Sequence, residues 1–429
     1  MVRYGSVIAF IIAAALAFAE PEVTRRSGDT MTFSNPEQTV TYEGNAKFID
    51  GSNRILSDYM KFYLNDNRAF CQGNVRIFLS TNVLITAGRA DYSEVTKSAR
   101  VTQRPVLFMK SENITVKGDE MQRRFDNEIT TATGNVSIER IDPTAGERVL
   151  GYGSMLRYDG ARALATLAGA PRIVRKGATL TGERMEYSTE RESIEAFGRA
   201  AIIFDPADEA GTNRENTITA DRIQYLSAAG TNMVYGFGAI AVSVPRNDMV
   251  ITGGFTVYDI ANKFARMLND PVCRFVTRET SVTADVIEYS FVTGKEVIDF
   301  LDKVVLVDNT GGMMMNAGHM RVFSKDGYTR IMKSPIAYLV REKIVVTAIY
   351  FEQFAGKNKL RANGDVIVRR DDVHAYADIA VYDMKSAKIK LWGGTPRMVQ
   401  KERTIHAREI VMNVKSGTVE LVDPEGALQ

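Results

Sequence analysis

The strongest constraint on this chain is a spacing. A small residue is followed five positions later by an aromatic, and eleven positions after that by a turn residue, usually glycine. Thirteen copies run along the chain. Ala220, Tyr225 and Gly236 form one, and Gly182, Tyr187 and Gly198 another. Others begin at Gly28, Ser57, Ala87, Gly118, Gly153, Gly253, Ala284, Gly318, Ala348, Ala377 and Ala407. Phe plus Tyr is 37 of 429 residues, so about one aromatic in thirteen is expected at random, and ten are found. The spacing inside a copy is fixed while the distance between copies varies, as in a structural repeat whose loops absorb length changes.

Inside each copy the alternation has period two. Nine residues after the aromatic position come Tyr42, Cys71, Val101, Ala132, Leu167, Ala196, Val234, Met267, Ile298, Met332, Ala362 and Leu391, all apolar or aromatic. Fifteen after it come Phe48, Ile77, Leu107, Ile138, Ile173, Ile202, Ile240, Cys273, Val304, Tyr338, Val368 and Arg397, all but the last apolar or aromatic. Even spacing of apolar positions means strands. Charges such as Lys97, Arg100, Arg172 and Glu195 occupy intervening positions and belong to water. Each copy therefore holds two strands joined by a tight bend. The bend is Gly44-Asn45, Gly73-Asn74 or Gly134-Asn135 in some copies and a proline pair in others: Arg104-Pro105, Asp270-Pro271, Ser334-Pro335. The expected fold is all-β: an elongated repeat array of two facing sheets with apolar side chains between them.

Met1 to Ala19 reads as a signal peptide: Arg3, an apolar run from Val7 to Phe18, and Ala17-Phe18-Ala19 as the cleavage site before Glu20. This implies export. The remaining 20–429 reads as one continuous array, with 20–210 and 211–429 as the alternative division at the polar stretch from Asp205 to Asn216. A net charge of +2 argues against nucleic acid as a partner. Arg123-Arg124, Arg172 with Arg175 and Lys176, and Arg369-Arg370 read as solvated faces, or as attraction to an anionic head group. Cys71 and Cys273 lie six copies apart. If each copy adds one strand to a given sheet, that is roughly 29 Å, whereas a disulfide needs alpha carbons within about 7 Å. Both are expected buried and unpaired.

No residues converge on catalysis, and no cofactor is expected. His319, His374 and His406 fall in separate copies without metal-ligand spacing. Gly311-Gly312 lacks the Lys-Ser or Lys-Thr of a phosphate loop and precedes the run Met313 to Met315. A row of acids follows the small residue: Asp58, Asp119, Glu183, Asp221, Asp285 and Asp378. Recurrence at one strand position marks them as structural, each answering a neighbouring Lys, Arg or turn amide; a catalytic pair would break the repeat.

The string small-Asp-x-x-x-Tyr running on to Gly-Asn-Val resembles the OstA-like family, which includes LptA, LptC and the N-terminal domain of LptD. It is carried by Ser57-Asp58 to Gly73-Asn74-Val75, Gly118-Asp119 to Gly134-Asn135-Val136, Ala220-Asp221 to Tyr225, Ala284-Asp285 to Tyr289, and Ala377-Asp378 to Tyr382. The resemblance implies a V-shaped β-jellyroll in the periplasm, holding lipopolysaccharide acyl chains and joining similar jellyrolls end to end by strand addition. On that reading Phe62, Cys71, Ile77, Tyr92, Val101, Tyr158, Leu167, Tyr187, Ile202, Tyr225, Val234 and Tyr289 line a lipid groove in a non-enzymatic carrier or bridge. Two other functions are consistent with the array: a structural or adhesive secreted β-solenoid with a closed core, and a polysaccharide-acting β-helix enzyme. The chain departs from the family in length, with about twice the repeats of a single such domain.

Overall fold

The computed structural model describes residues 25–425 except 52, 80–81, 142–145, 176, 189, 205–215, 227–231, 293–294 and 355–356. The signal segment and the division expected near 210 fall outside these residues. Contacts group the chain into two compact units, Met1–Gly169 and Ala170–Gln429.

In the first unit Thr39–Asp50, Asn53–Tyr63, Arg68–Phe78 and Val83–Ser93 pair antiparallel in sequence order. Every one of these pairings shifts register at mid-strand, for example between Glu43 and Ala46 and between Gln72 and Val75. The shift sits at two consecutive left-handed residues, Gly44-Asn45 (φ +69° and +47°) and Gly73-Asn74 (φ +77° and +45°). These are β-bulges, which kink a strand and sharpen its twist. Each long strand thus runs through one wall, bends, and continues in a second, and each wall keeps its own ladder. Residues 39–43, 59–63, 68–72 and 89–93 make one wall; 46–50, 53–57, 75–78 and 83–86 make the other. The two facing sheets expected from the alternation are these walls, joined along a line of bulges.

Proline decides whether the strand survives the bend. Gln103-Arg104 is also a left-handed pair, but Pro105 follows it and supplies no N–H to the ladder. The strand splits there into Ser98–Thr102 and Val106–Met109, one piece on each half of Val83–Ser93. The pieces pair onward with Glu120–Arg124 and Ile114–Lys117, which reunite along Ile129–Ile141.

The second unit repeats the construction. Ser193–Phe204, Asn216–Leu226, Met233–Val244 and Met249–Asp259 are consecutive bulged strands. Pro271 follows Asn269-Asp270 and splits the next strand into Phe264–Leu268 and Val272–Phe275; Pro335 after Lys333-Ser334 does the same to Tyr328–Met332 and Ile336–Leu339.

The structure corrects four details. The Gly-Asn pair is a bulge inside a strand and not the joint between two strands; reversals occur in four-residue turns such as 64–67 and 94–97. Each copy therefore adds two strands to each wall, about 9.6 Å. In the copy beginning at Ala220 the left-handed residue is Gly238 (φ +89°), and Gly236 pairs within its strand. In the copy beginning at Ala284 the pair is Asp302-Lys303, and Phe300 is fully buried. In the copy assigned to Gly318, the amide of Gly318 donates to the Lys333 carbonyl, as Asp29 does to Gly44. Ala317 therefore takes the small position, and Ile331, not Met332, is buried.

Candidate functional site

The residues between the walls form the only extensive set the sequence singled out, and the alternation determines which they are. Phe62, Cys71, Ile77, Tyr92, Val101, Leu167, Ile202, Tyr225, Val234 and Tyr289 are all buried; Tyr158 and Tyr187 are half-buried. Contacts reach from wall to wall. In the first unit the Phe48 ring lies 5.4 Å from Phe62 and 5.3 Å from Tyr92, although Phe48 hydrogen-bonds in the opposite ladder from both. In the second unit Phe204 and Tyr258 meet across the walls at 4.8 Å. Tilted and edge-on contacts of this kind are the favoured aromatic geometries.

The environment is one of low polarity. Burial pushes the Cys71 thiol up to about 12 and raises Cys273 as well. It carries the Tyr258 phenol to about 12, and it raises Tyr158 and Tyr382. Both cysteines are buried and free, as their spacing implied. Arg123 stands where most copies carry an aromatic. Burial lowers its pKa, and its guanidinium donates to the Glu128 carbonyl at 2.9 Å and to Thr130 Oγ1 at 2.8 Å.

Away from the bulges, polar side chains tie the free margins of the walls together. Tyr92 Oη donates to Asp50 Oδ2 at 3.0 Å. Arg175 donates to the Tyr225 hydroxyl, which in turn donates to Asn232 Oδ1 at 2.9 Å. Asn247 Nδ2 donates to the Tyr289 hydroxyl, and Arg370 Nη1 to the Val414 carbonyl at 2.9 Å. The repeat spacing identified these tyrosines but not their partners, which sit about forty to fifty residues upstream; finding them requires the strand count per wall. Arg175 and Arg370, read from sequence as solvated, belong to this margin.

The acidic row is structural. Asn45, Asn74 and Asn135 donate their side-chain amides to Asp29, Asp58 and Asp119 at 3.0, 2.8 and 2.9 Å. Glu183 pairs with Arg199, Asp285 with Lys303, and Asp221 accepts from the Ala239 amide. Each acid lies over its own bulge, and a Cβ on Gly73 would sit 2.5 Å from Asp58 Oδ2. Of the histidines, His319 Nε2 lies 2.7 Å from Asp299 Oδ1, which Arg321 also grips through two hydrogen bonds. Among the described residues no group of His, Cys, Asp and Glu could hold a metal ion. No helix among them is long and apolar enough to cross a membrane.

A family model described as "LptA/(LptD N-terminal domain) LPS transport protein" matches residues 27–193 and 295–418. Among solved structures, the chain is similar to that of LptH, the LptA homologous periplasmic component of the conserved lipopolysaccharide transport device from Pseudomonas aeruginosa. Identity is 16%, coverage 32% of this chain and 92% of that one, and the TM-score 0.25. No curated protein matches.

Proposed function

The chain belongs to the LptA/LptD N-terminal domain family of lipopolysaccharide-transport proteins, and we infer that it carries lipopolysaccharide across the periplasm with the acyl chains held between its two walls. It is a transport protein and not an enzyme. The observation that carries the reading is the inward-facing set itself. Among the described residues the two walls share backbone along the bulge line and otherwise meet through side chains, the ring contacts between them and the polar ties on the opposite margin. Apolar chains can therefore enter between them without breaking a backbone ladder. Phe62, Tyr92, Tyr158, Tyr187, Tyr225 and Tyr289, with Cys71, Ile77, Val101, Leu167, Ile202 and Val234, are the proposed contacts.

End-to-end assembly with other jellyrolls of the family is the second part of the proposal. Arg25–Ser27 and Thr30–Ser34 in the first unit, and Val419–Glu425 in the second, each have a single neighbouring strand among the described residues. Met31 and Phe33 on the first edge are more than half exposed. Open ladders beside exposed apolar side chains favour strand addition.

Depletion in living cells tests the transport reading. Newly made lipopolysaccharide is expected to accumulate at the inner membrane as the protein is lost. Unchanged delivery to the outer membrane would remove the assignment.

A further inference from the structure

In the second unit the margin opposite the bulges is interrupted. Tyr289 ties to Asn247 on one side of the interruption and Arg370 to Val414 on the other. Between them the aromatic position is filled by Val322 in one copy and Gln353 in the next. Val322 carries no polar group, and among the described residues the Gln353 amide makes no hydrogen bond to the facing wall. Here the walls part around a cleft of about 670 Å³, within the size range of small-molecule sites.

Phe275, Leu306 and Met313 line the cleft from one wall, and Met320, Val322 and Phe354 from the other. Unbranched, polarisable methionine side chains adapt to irregular apolar ligands better than branched ones. The rim carries Arg278, exposed, with its guanidinium 5.9 Å from the Phe275 ring and no ion pair among the described residues. The other rim charge, Asp308, accepts a hydrogen bond from the Gly311 amide at 2.9 Å. An apolar slot with an unpaired guanidinium at its lip matches a molecule with a hydrocarbon tail and an anionic head.

We propose that this cleft is a lateral port: a hydrocarbon chain of an anionic amphiphile seats between the walls beside Met320 and Gln353, with its anionic group on Arg278. The port rests on the carrier reading and adds where on the chain the ligand enters or leaves. Tyr92, Tyr225 and Tyr289 tie the margin in their copies; Val322 and Gln353 stand at that position here, beside the cleft.

The test is photocrosslinking on the purified full-length protein with lipopolysaccharide micelles. A photoreactive phenylalanine analogue is placed at Met320, at Gln353, or at Tyr225 as a reference inside the tied region. Adducts are expected at 320 and 353. Arg278→Gln should reduce the 320 adduct roughly tenfold, the equivalent of about 1.4 kcal/mol for one charge-assisted contact. Gln353→Tyr, which refills the gap, should reduce it as well. Far-UV circular dichroism and protection of Cys273, buried in the same unit, confirm that each variant is folded. Adducts at 225 with none at 320 or 353 overturn the port and leave the carrier reading standing. Adducts at 320 indifferent to both substitutions overturn it too, because the anionic contact and the gap would then play no part. Adducts at no position overturn both.

Discussion

The bulge that separates the two walls makes a quantitative demand on Gly73. Its φ is +77°, and a Cβ there would lie 2.5 Å from Asp58 Oδ2 and 3.0 Å from Asp58 Cβ. Gly73→Ala therefore carries two costs. A non-glycine residue in the left-handed region costs about 1–2 kcal/mol. Displacing the Asp58 carboxylate breaks its 2.8 Å hydrogen bond from Asn74, about 1 kcal/mol for an exposed bond. The sum is about 2–3 kcal/mol of local stability. Cys71, two residues away and fully buried, reports on it directly. Its labelling by a thiol reagent requires local opening, so the rate tracks the opening free energy. At about 1.4 kcal/mol per decade, Gly73→Ala should label Cys71 about 30- to 160-fold faster than wild type, with Cys273 mapped separately as a control. Removing the carboxylate first tests the mechanism: in an Asp58→Ala background the same substitution should cost about 1 kcal/mol less. Unchanged labelling in the single variant would refute the bulge geometry. Equal effects in both backgrounds would refute the part assigned to Asp58.

Two further outcomes follow from the same structure. Neither cysteine of the native protein should react with thiol reagents at pH 8 on the timescale of minutes, since burial holds Cys71 near 12 and Cys273 also high, and no intramolecular disulfide should appear on non-reducing gels; rapid labelling of either would contradict their burial. Thermal stability should be level from pH 7 to about 5 and fall below about pH 4. Backbone amides of Asn262 and Ser386 hold Asp259 and Asp383 below the usual carboxylate range, as hydrogen bonds from Arg124 and Arg100 hold Asp126 and Glu120. Groups depressed on folding stabilise above their unfolded pKa, and the contribution disappears as pH falls through the folded one. A melting temperature that rises on acidification would contradict this.

Most of the architecture was legible because period-two alternation survives variation in repeat length. In the copies beginning at Ala220 and Ala284 the bulge comes two residues late, at Gly238 and Asp302. A shift of two preserves the buried face, so Val234 and Ile298 are buried as expected while the turn position was misjudged. The single-residue displacement at Ala317 does the opposite: it exchanges faces, and Ile331 replaces Met332 inside. Proline was a sound marker of the bend, yet sequence alone did not distinguish a bulge from a strand joint, because Gly-Asn serves both. The reversals had their own signal, an Asp directly after the aromatic. Asp159, Asp259 and Asp383 accept from amides at 3.2, 2.9 and 3.1 Å to close the turns. The ties at the free margin and the cleft at Val322 and Gln353 depend on which distant strands face each other, and no local spacing encodes that.

The central claim is that the space between the walls holds lipid. Photocrosslinkers at Phe62, Tyr92 and Val234, which point inward, and at Arg100, Arg199 and Lys303, which point to water, compare the two faces in cells making lipopolysaccharide. The account predicts adducts at the inward positions and none at the outward ones. Adducts confined to the outward positions would contradict it.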